Sequence, residues 1–300
     1  MTTRVPVFTH PDCVRHDPGV GHPDTPARLQ AVLARLAQDP LADLRQATPA
    51  GRERLLAVHP ERHLQLLQVI SEQGGGGVSL DTVANEASWA AVLAGTGAVQ
   101  GALRHAMESG GHAFAAIRPP GHHALANRAM GFCLVNNVIV AARMAQAEGR
   151  ERILIVDWDV HHGNGTQALM EHDASIRFVS LHQHPWYPGS GMAHERGVGN
   201  VFNVPRGPGA PAALYVDDLW AAIHTATEGW SPDLVLISAG YDAMLGDPLG
   251  GFTLEPGDYA RLTLRLRERL PSAPMVAVLE GGYVPFRLAE GVAATVAALA

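Results

Sequence analysis

The sequence predicts an α/β fold in which helices cover both faces of a parallel sheet. Short apolar runs bounded by turn residues indicate four buried strands, at residues 113–117, 153–156, 234–238 and 275–279. Amphipathic stretches between these runs indicate helices at residues 138–147, 211–227 and 257–270. Strands that alternate with helices form parallel sheets with a helical layer on each face.

Polar segments after the predicted strands favour a ligand site at one edge of the sheet. In parallel sheets, ligands bind beyond the carboxyl ends of the strands. Each predicted strand is followed by a segment that carries a candidate metal ligand, acid, base or donor, at residues 118–123, 157–161, 240–248 and 280–283. Four such segments on four strand ends indicate a common functional site.

The composition excludes several classes of protein. Of the 300 residues, 47% are apolar and 17% charged, so the chain can bury enough surface to fold. It has no run of about 18 apolar residues that could span a membrane, and no secretory signal pattern. Two cysteines are too few for a disulfide framework, so we expect a cytoplasmic protein. The net charge of −7 argues against direct nucleic-acid binding, which needs a basic surface.

The sequence shows no boundary between domains. No linker rich in Pro, Gly and Ser interrupts the chain, so we expect residues 1–300 to form a single domain. The glycine run at residues 74–77 is expected to be a surface loop, because consecutive glycines maximise backbone freedom.

Alternate residues after the second predicted strand indicate a metal site. Asp157, Asp159 and His161 are spaced by two, so an extended backbone turns all three side chains to one side. Carboxylate and imidazole ligands suit Zn²⁺ or another divalent transition metal, Fe²⁺ included. Asp247 is the best candidate for a further ligand, although a residue before proline also suits a turn. Two Asp and one His would leave a coordination position open, as in catalytic zinc sites.

Candidate acid–base groups follow the first and fourth predicted strands. His122 and His123 come after a Pro-Pro-Gly turn, and Asp157 and Asn164 could each orient one imidazole. A histidine whose second ring nitrogen is held by a fixed acceptor is suited to proton transfer. Tyr283 follows two glycines that permit a sharp loop, and its phenol could polarise a carbonyl, although an ordinary aromatic anchor is the simpler interpretation.

These motifs together resemble the zinc-dependent histone deacetylase family. They are RPPGHH (118–123), GFC (131–133), VDWDVHHGNG (156–165), SLH (180–182), GDPLGG (246–251) and LEGGY (279–283). The motif sequences are most similar to those of the class II branch and of bacterial deacetylase-like amidohydrolases. The resemblance runs from HPDTPAR (22–28) to Tyr283, nearly the whole chain, and implies an arginase-deacetylase-like three-layer fold with a central, largely parallel eight-stranded sheet.

The resemblance also implies roles for the residues of the site. The residues that match the ligands of one catalytic Zn²⁺ are Asp159, His161 and Asp247. His122 and His123 match the tandem histidines, with His123 as general base and acid. Asp157 would hydrogen-bond to His122, and Tyr283 would polarise the scissile carbonyl.

Two of these positions separate the chain from other branches of the family. Asn164 stands where class I members carry an aspartate, so His123 should be less basic than its class I counterpart. Tyr283 stands where the class IIa enzymes, which have weak acetyl-lysine activity, carry histidine.

The resemblance further implies a narrow tunnel for the acylated side chain. Gly131, Phe132 and Tyr187 match its walls, although the family has phenylalanine where Tyr187 stands and Phe132 could equally be a core residue. Trp186 would reshape the rim beside Tyr187. Asp81 matches the rim aspartate that grips the substrate backbone.

Two inner sites are implied in the same way. Arg28 matches the arginine of the internal acetate channel, although arginine is mostly a surface residue. An inner K⁺ site corresponds to Asp157, Asp159, His161, Ser180 and Leu181, partly through backbone carbonyls.

The resemblance therefore implies a zinc-dependent amidohydrolase of N-acetyl (acyl) amides that releases acetate from acetyl-lysine in proteins or peptides. The first alternative is an acetylpolyamine deacetylase with the same site. In the polyamine-selective class II enzyme, a glutamate gatekeeper lies seven residues after the last zinc aspartate; counted from Asp247 that position is the apolar Leu254, with Glu255 beside it. The further alternatives are an arginase-like hydrolase with two Mn²⁺ ions and a non-catalytic acyl-binding scaffold. The oligomeric state stays open.

Overall fold

A single parallel sheet forms the centre of the computed structural model, which describes residues 4–300. The strands in chain order are β1 (Val5–Thr9), β2 (Ala42–Gln46), β3 (Gly75–Gly77), β4 (Val83–Asn85), β5 (His112–Ala115), β6 (Ile153–Asp157), β7 (Ile176–Gln183), β8 (Val201–Arg206), β9 (Leu234–Ala239) and β10 (Met275–Leu279). Eight of them make one sheet in the order β2-β1-β5-β10-β9-β6-β7-β8. Every neighbouring pair in this sheet is parallel. The predicted α/β fold with a central, largely parallel eight-stranded sheet is confirmed.

The four strands expected from the sequence lie side by side in the middle of this sheet. They are β5, β10, β9 and β6, in that spatial order. Every residue of β6, β9 and β10 is buried, because helices cover both faces of the sheet. The continuous apolar runs of these strands are the sequence signature of this two-sided burial.

Helices surround the sheet. They are α1 (Asp12–Arg15), α2 (Pro26–Leu36), α3 (Glu61–Glu72), α4 (Ser88–Ser109), α5 (Asn137–Ala147), α6 (Asn164–Met170), α7 (Ala212–Ala226), α8 (Pro256–Arg269) and α9 (Pro285–Leu299). Helix α4 packs on β1 and β5, α5 on β9, and α7 on β7 and β8, while α9 packs against both α2 and α8. None of the helices within residues 4–300 has the length and apolar character needed to cross a bilayer.

Local capping explains where the helices near the site begin. The side chain of Asn136 accepts a hydrogen bond of 3.0 Å from the Ile139 amide at the start of α5. At the start of α8, Glu255 and Asp258 form a capping box around Pro256. Capping satisfies amides that would otherwise lack partners in the first turn.

The sequence suggested a surface loop at residues 74–77, but most of this glycine run forms a strand. Residues 75–77 form β3, which pairs antiparallel with β4 in a two-stranded ribbon. Gly75 has a φ of +102°, and a Cβ there would lie 2.4 Å from the carbonyl oxygen of Ala84. The close approach of the two backbones therefore requires glycine at position 75. Hydrophobic patterning cannot reveal such a strand, because a run of glycines has no side chains that alternate between apolar and polar.

Candidate active site

The carboxyl ends of the four central strands bring the expected polar segments to one edge of the sheet. Because β5, β10, β9 and β6 are adjacent and parallel, the segments that follow them start side by side. This is the placement that ligand sites take in open parallel sheets.

Three buried side chains form a group that could hold a metal ion. Asp159, His161 and Asp242 each present one ligand atom, and these atoms all lie within 4.8 Å of one another. His161 Nδ1 is 3.0 Å from an Asp159 oxygen and 3.2 Å from Asp242 Oδ2. Asp242 Oδ2 is fully buried, and its approach to His161 Nδ1 lacks hydrogen-bond geometry. A buried carboxylate oxygen beside a second carboxylate is unfavourable without a cation, so the group fits a metal.

Asp247, the expected third ligand, is not brought into this group. Its Oδ2 accepts a 2.7 Å hydrogen bond from the Tyr283 amide, and its Oδ1 accepts one of 2.9 Å from the Leu249 amide. Its carboxylate thus holds two backbone segments in place, and each oxygen keeps a further lone pair that could meet a metal. Asp242 stands in the same polar segment, three residues after β9 ends at Ala239. Asp247 as a metal ligand stays a prediction.

The charges in the group depend on one another. Burial opposes a charge on His161, but the adjacent carboxylates of Asp159 and Asp242 outweigh it and raise the pKa of His161 to about 10. Burial and the Asp159 charge raise the pKa of Asp242. Burial and the neighbouring Asp242 raise the pKa of Asp247 to about 7. A cation bound among these residues would favour their deprotonated forms.

The tandem histidines have the partners that the sequence predicts. His122 Nδ1 lies 3.0 Å from Asp157 Oδ2, and His123 Nδ1 lies 2.8 Å from Asn164 Oδ1. The two imidazole centroids are 4.0 Å apart. In each ring Nδ1 is thereby engaged, which leaves Nε2 for chemistry.

The two histidines differ in charge because their surroundings differ. Burial opposes a charge on His122, but the carboxylates of Asp159 and Asp157 outweigh it and hold the pKa of His122 well above its usual value. Burial, together with the charges of His122 and His161, holds the pKa of His123 well below its usual value. His123 is therefore neutral and able to accept a proton, while His122 carries positive charge beside it.

The loop after β10 connects the separate parts of the site. The Gly281 amide donates a 2.9 Å hydrogen bond to Asp159 Oδ2. Glu280 Oε2 accepts hydrogen bonds from the amides of Gly121, at 2.6 Å, and His122, at 3.2 Å. Residues 280–283 thus hold the Asp159 carboxylate, the turn before His122 and, through the Tyr283 amide, the Asp247 carboxylate. Sequence reasoning did not assign Glu280 this bridging position, because it depends on the adjacency of β5 and β10.

Arg28 holds the same loop from behind. Its Nε donates to the Gly282 carbonyl and its Nη2 to the Glu280 carbonyl, each at 2.5 Å. Its guanidinium lies 4.8 Å from the centroid of the Tyr283 ring. The side chain is fully buried and also pairs with Asp24, so the surface alternative for this arginine is wrong. The acetate channel stays a prediction.

A cavity of about 230 Å³ opens onto the reacting groups. His123, His161 and Tyr283 line it together with the expected wall residues Gly131, Phe132 and Tyr187. The Tyr187 ring meets the His123 ring edge-on at 5.1 Å, and the Phe132 ring meets the Tyr283 ring in the same way at 5.8 Å.

The mouth of the cavity carries polar and aromatic residues. Asp81 and Trp186 also line the cavity, as the resemblance implied for the rim. The Tyr187 hydroxyl helps to hold the pKa of Asp81 below its usual value, even though partial burial opposes the shift. The departure from phenylalanine at Tyr187 therefore adds a hydroxyl that acts on the rim carboxylate.

Leu254, expected in the tunnel, is instead part of the hydrophobic core. It is fully buried, and its backbone pairs with that of Met244. The residue that lines the cavity is Leu249, whose carbonyl accepts a 2.7 Å hydrogen bond from Trp186 Nε1. A role for Leu254 in substrate selection stays a prediction. Glu255 caps α8 and pairs with Arg287 at 2.8 Å.

The residues expected around K⁺ lie together at the ends of β6 and β7. Asp157 and Ser180 are cross-strand partners, and Asp159 and His161 follow β6 directly. Ser180 Oγ lies 2.9 Å from His182 Nδ1, and the Leu181 carbonyl accepts a 3.5 Å hydrogen bond from the Tyr215 hydroxyl. This placement agrees with the expected site, and the ion itself stays a prediction.

Comparison with known proteins identifies the family to which this site belongs. Residues 22–299 match the family described as the histone deacetylase domain. The chain belongs to the histone deacetylase family. Histone deacetylase 15 of Arabidopsis thaliana is 40% identical over 87% of this chain and 50% of its own length. The histone deacetylase-like amidohydrolase of Pseudomonas aeruginosa is 36% identical over 88% of this chain and 73% of its own length.

Structural comparison agrees with the family assignment. The crystal structure of the HDA15 HD domain superposes with a TM-score of 0.94 and 36% identity, over 98% of this chain and 90% of that one. An uncharacterized protein of Synechocystis is 39% identical over 97% of this chain and 98% of its own length. As a histone deacetylase family member, the chain is a hydrolase of the deacetylase and amidohydrolase type, with the arginase-deacetylase fold.

Proposed function

We propose that this protein hydrolyses the N-acetyl amide of acetyl-lysine in proteins or peptides and releases acetate. The observation that carries the proposal is the cavity of about 230 Å³, which joins aromatic walls to a neutral histidine, a buried phenol and a metal-binding group. A slender acylated side chain suits such a cavity, because the polar groups that it needs lie together among apolar walls.

Asp159 and His161 would hold one Zn²⁺ ion, with the third carboxylate supplied by Asp242 or, as the family resemblance implies, by Asp247. The buried Asp242 Oδ2 supports a metal at this group, as does the mixture of carboxylate and imidazole ligands. When bound, the ion supplies a Lewis acid that polarises the amide carbonyl and lowers the pKa of water. The inner K⁺ ion at Asp157, Asp159, His161, Ser180 and Leu181 is part of the same proposal.

His123 would move the protons. Its low pKa keeps it neutral at pH 7, so it can take a proton from the attacking water. Asn164 holds Nδ1 at 2.8 Å and thereby directs Nε2 to the reacting atoms. Once protonated, His123 can donate the proton to the leaving amine, while the charged His122 stabilises negative charge on the oxyanion.

Tyr283 would donate a hydrogen bond to the same oxyanion. Burial holds the pKa of its phenol well above the usual value, although Arg28 opposes the shift, so the hydroxyl keeps its proton at neutral pH. The Arg28 guanidinium lies 4.8 Å from the centroid of the Tyr283 ring and also holds the Gly282 and Glu280 carbonyls of the loop. A donor placed before the reaction needs no reorganisation when charge develops on the carbonyl oxygen.

Leu249 favours acetyl-lysine over an acetylated polyamine. It lines the cavity near Trp186, and an apolar side chain offers nothing to a second ammonium group. Glu255, the nearby carboxylate that could have changed this conclusion, is paired with Arg287 outside the cavity lining. The cytoplasmic location expected from the sequence agrees with two free, buried cysteines and stays part of the proposal.

The test compares two substrates in parallel. Zinc-loaded protein is given an acetyl-lysine peptide and an acetylated polyamine at matched concentrations, with Tyr283→Phe as the blank, and amine release is measured. We expect a strong peptide preference, and we expect Leu249→Glu to shift the ratio towards the polyamine. A polyamine preference of the unchanged protein would overturn the substrate assignment and keep the catalytic one.

The other candidates have their own readouts in the same experiment. Elemental analysis should find one transition metal per chain, whereas an arginase-like hydrolase would hold two Mn²⁺ ions. A non-catalytic acyl-binding scaffold would release no amine from either substrate when it is fully loaded with metal.

A further inference from the structure

We infer that Thr82 is a positioning residue that holds the tunnel-wall residue Phe132 in place. The inferred contact between Thr82 and Phe132 stands by itself, whereas its effect on binding of acetyl-lysine rests on the proposed function. It starts from the backbone of Phe132, whose φ of +67° is the only positive φ of a non-glycine residue in the described range 4–300. A bulky residue in this region is strained and persists only where its surroundings hold it.

The strain belongs to a two-residue turn in the tunnel wall. Met130 and Cys133 exchange backbone hydrogen bonds of 3.2 and 3.0 Å, so Gly131 and Phe132 are the central residues of the turn. Both have positive φ, at 57° and 67°, as in a type I′ turn. Glycine is needed at the first position, because a Cβ there would lie 2.3 Å from the His123 ring. At the second position, where glycine is usual, the chain carries phenylalanine.

The β3–β4 ribbon supplies the bonds that hold this turn. The Phe132 amide donates a 3.1 Å hydrogen bond to Thr82 Oγ1, and the Gly131 amide donates one of 3.0 Å to Asp81 Oδ1. Thr82 Oγ1 in turn donates to Asp81 Oδ1 at 2.9 Å. One threonine hydroxyl thus accepts from the strained residue and donates to the rim carboxylate.

The surroundings make Thr82 more than a surface contact. Its exposed fraction is 1%, so an amide that lost this hydroxyl would have no water in its place. The Val78 and Ser79 amides both donate to the Thr82 carbonyl, at 2.8 and 3.1 Å, which fixes its position in the ribbon loop. The Phe132 ring, placed by this contact, packs edge-on against Tyr283 and at 4.5 Å against His22.

The consequence for catalysis is a wall that is set before substrate arrives. Phe132 lines the cavity but has no group that could act on the carbonyl, so its placement affects binding of the substrate and the transition state alike. Loss of such uniform binding raises KM and leaves kcat nearly unchanged.

The experiment removes the hydroxyl and follows the turn directly. In Thr82→Val, we expect amide hydrogen exchange in the segment 130–133 to accelerate and KM for the acetyl-lysine peptide to rise roughly 3- to 10-fold, the usual effect of one hydrogen bond. The change in kcat should stay below about 2-fold, since the reacting groups are untouched. Thr82→Ser should restore both properties, because it keeps the oxygen.

A matched control separates this effect from general damage. Thr96 is equally buried at 1% exposure, and its hydroxyl donates only to the Val92 carbonyl of its own helix α4. Thr96→Val should therefore leave segment 130–133 and KM unchanged. If Thr82→Val does not fold, Thr82→Ala removes the same hydroxyl without adding a methyl group.

Each outcome decides the inference. Unchanged exchange in Thr82→Val would overturn it, whatever the activity. Faster exchange with an unchanged KM would overturn the role in substrate binding. A wild-type protein that releases no amine would overturn the proposed function, while the exchange data would still decide whether Thr82 holds Phe132.

Discussion

Paired substitutions decide whether Asp242 or Asp247 completes the metal group: with Asp242 as the ligand, Asp242→Asn should abolish tight metal binding and Asp247→Asn should not. Asp242 is one of two carboxylates in the three-residue group and presents the buried Oδ2. Loss of even an outer hydrogen-bond partner lowers metal affinity about 10- to 100-fold, so loss of a ligand should lower it by at least about 100-fold. That corresponds to about 2.7 kcal/mol or more of binding free energy.

Asp247→Asn has a different expected effect. Both oxygens of Asp247 accept backbone hydrogen bonds, from Tyr283 and Leu249, and an amide group can accept only one of them. The amide left unpaired should lower the free energy of unfolding by about 1–3 kcal/mol. With Asp242 as the ligand, metal affinity should fall less in Asp247→Asn than in Asp242→Asn, because Asp247 bonds only to backbone amides of the surrounding loops.

The assay is competition for Zn²⁺ against a chelator of known affinity, with elemental analysis of the purified proteins. Urea unfolding of the metal-free forms measures the stability of each variant separately from metal binding. The assignment of Asp242 would be refuted if Asp242→Asn kept one tightly bound ion and Asp247→Asn lost it.

Three further predictions concern catalysis, packing and pH. Tyr283→Phe should lower kcat roughly 10²- to 10³-fold, as for other oxyanion donors, with metal content unchanged; a rate within about 2-fold of wild type in steady-state kinetics would exclude this role. Leu254→Ala should lower the free energy of unfolding by about 2–5 kcal/mol in urea titrations with KM unchanged, because Leu254 is fully buried in the core; a change in KM without a loss of stability would put it back in the tunnel. His59 bonds to the Ala126 carbonyl through Nδ1 and accepts from the Asn136 amide through Nε2, so it must be neutral, and burial lowers its pKa from 6.5 to about 4. Between these two pKa values the unfolded state binds a proton that the folded state does not. The free energy of unfolding should therefore fall by up to about 3 kcal/mol as the pH drops from 6.5 to 4, relative to a His59→Gln variant in urea titrations. A stability that is flat or rises over this range would contradict the buried neutral form.

The sequence by itself determined the centre of the fold and most of the reacting groups. The central strands are apolar throughout because both faces of the sheet are covered, so their runs are visible without any knowledge of contacts. Polar residues placed directly after such runs must meet at one edge of a parallel sheet. This rule places Asp157 and Asn164 near the two imidazoles, and the family resemblance implied that Asp157 pairs with His122. The structure has the pairs His122–Asp157 and His123–Asn164.

Only the tertiary structure decided between residues that share one loop. Asp242 and Asp247 have the same side chain and lie in the same polar segment, so composition and spacing cannot tell which carboxylate reaches His161 and which caps backbone amides. The burial of Leu254 in the core is likewise a property of the packing, because spacing alone does not tell a core leucine from one that lines a cavity.

Contacts between distant segments were equally invisible in the sequence. Thr82 meets Phe132 across 50 residues, and Glu280 meets the His122 amide across 158. These bonds depend on where the β3–β4 ribbon and the β10 loop lie in space, and no local pattern records that placement. Local sequence encodes burial and strand ends, whereas the partner of each polar atom is set by the packing of the whole chain.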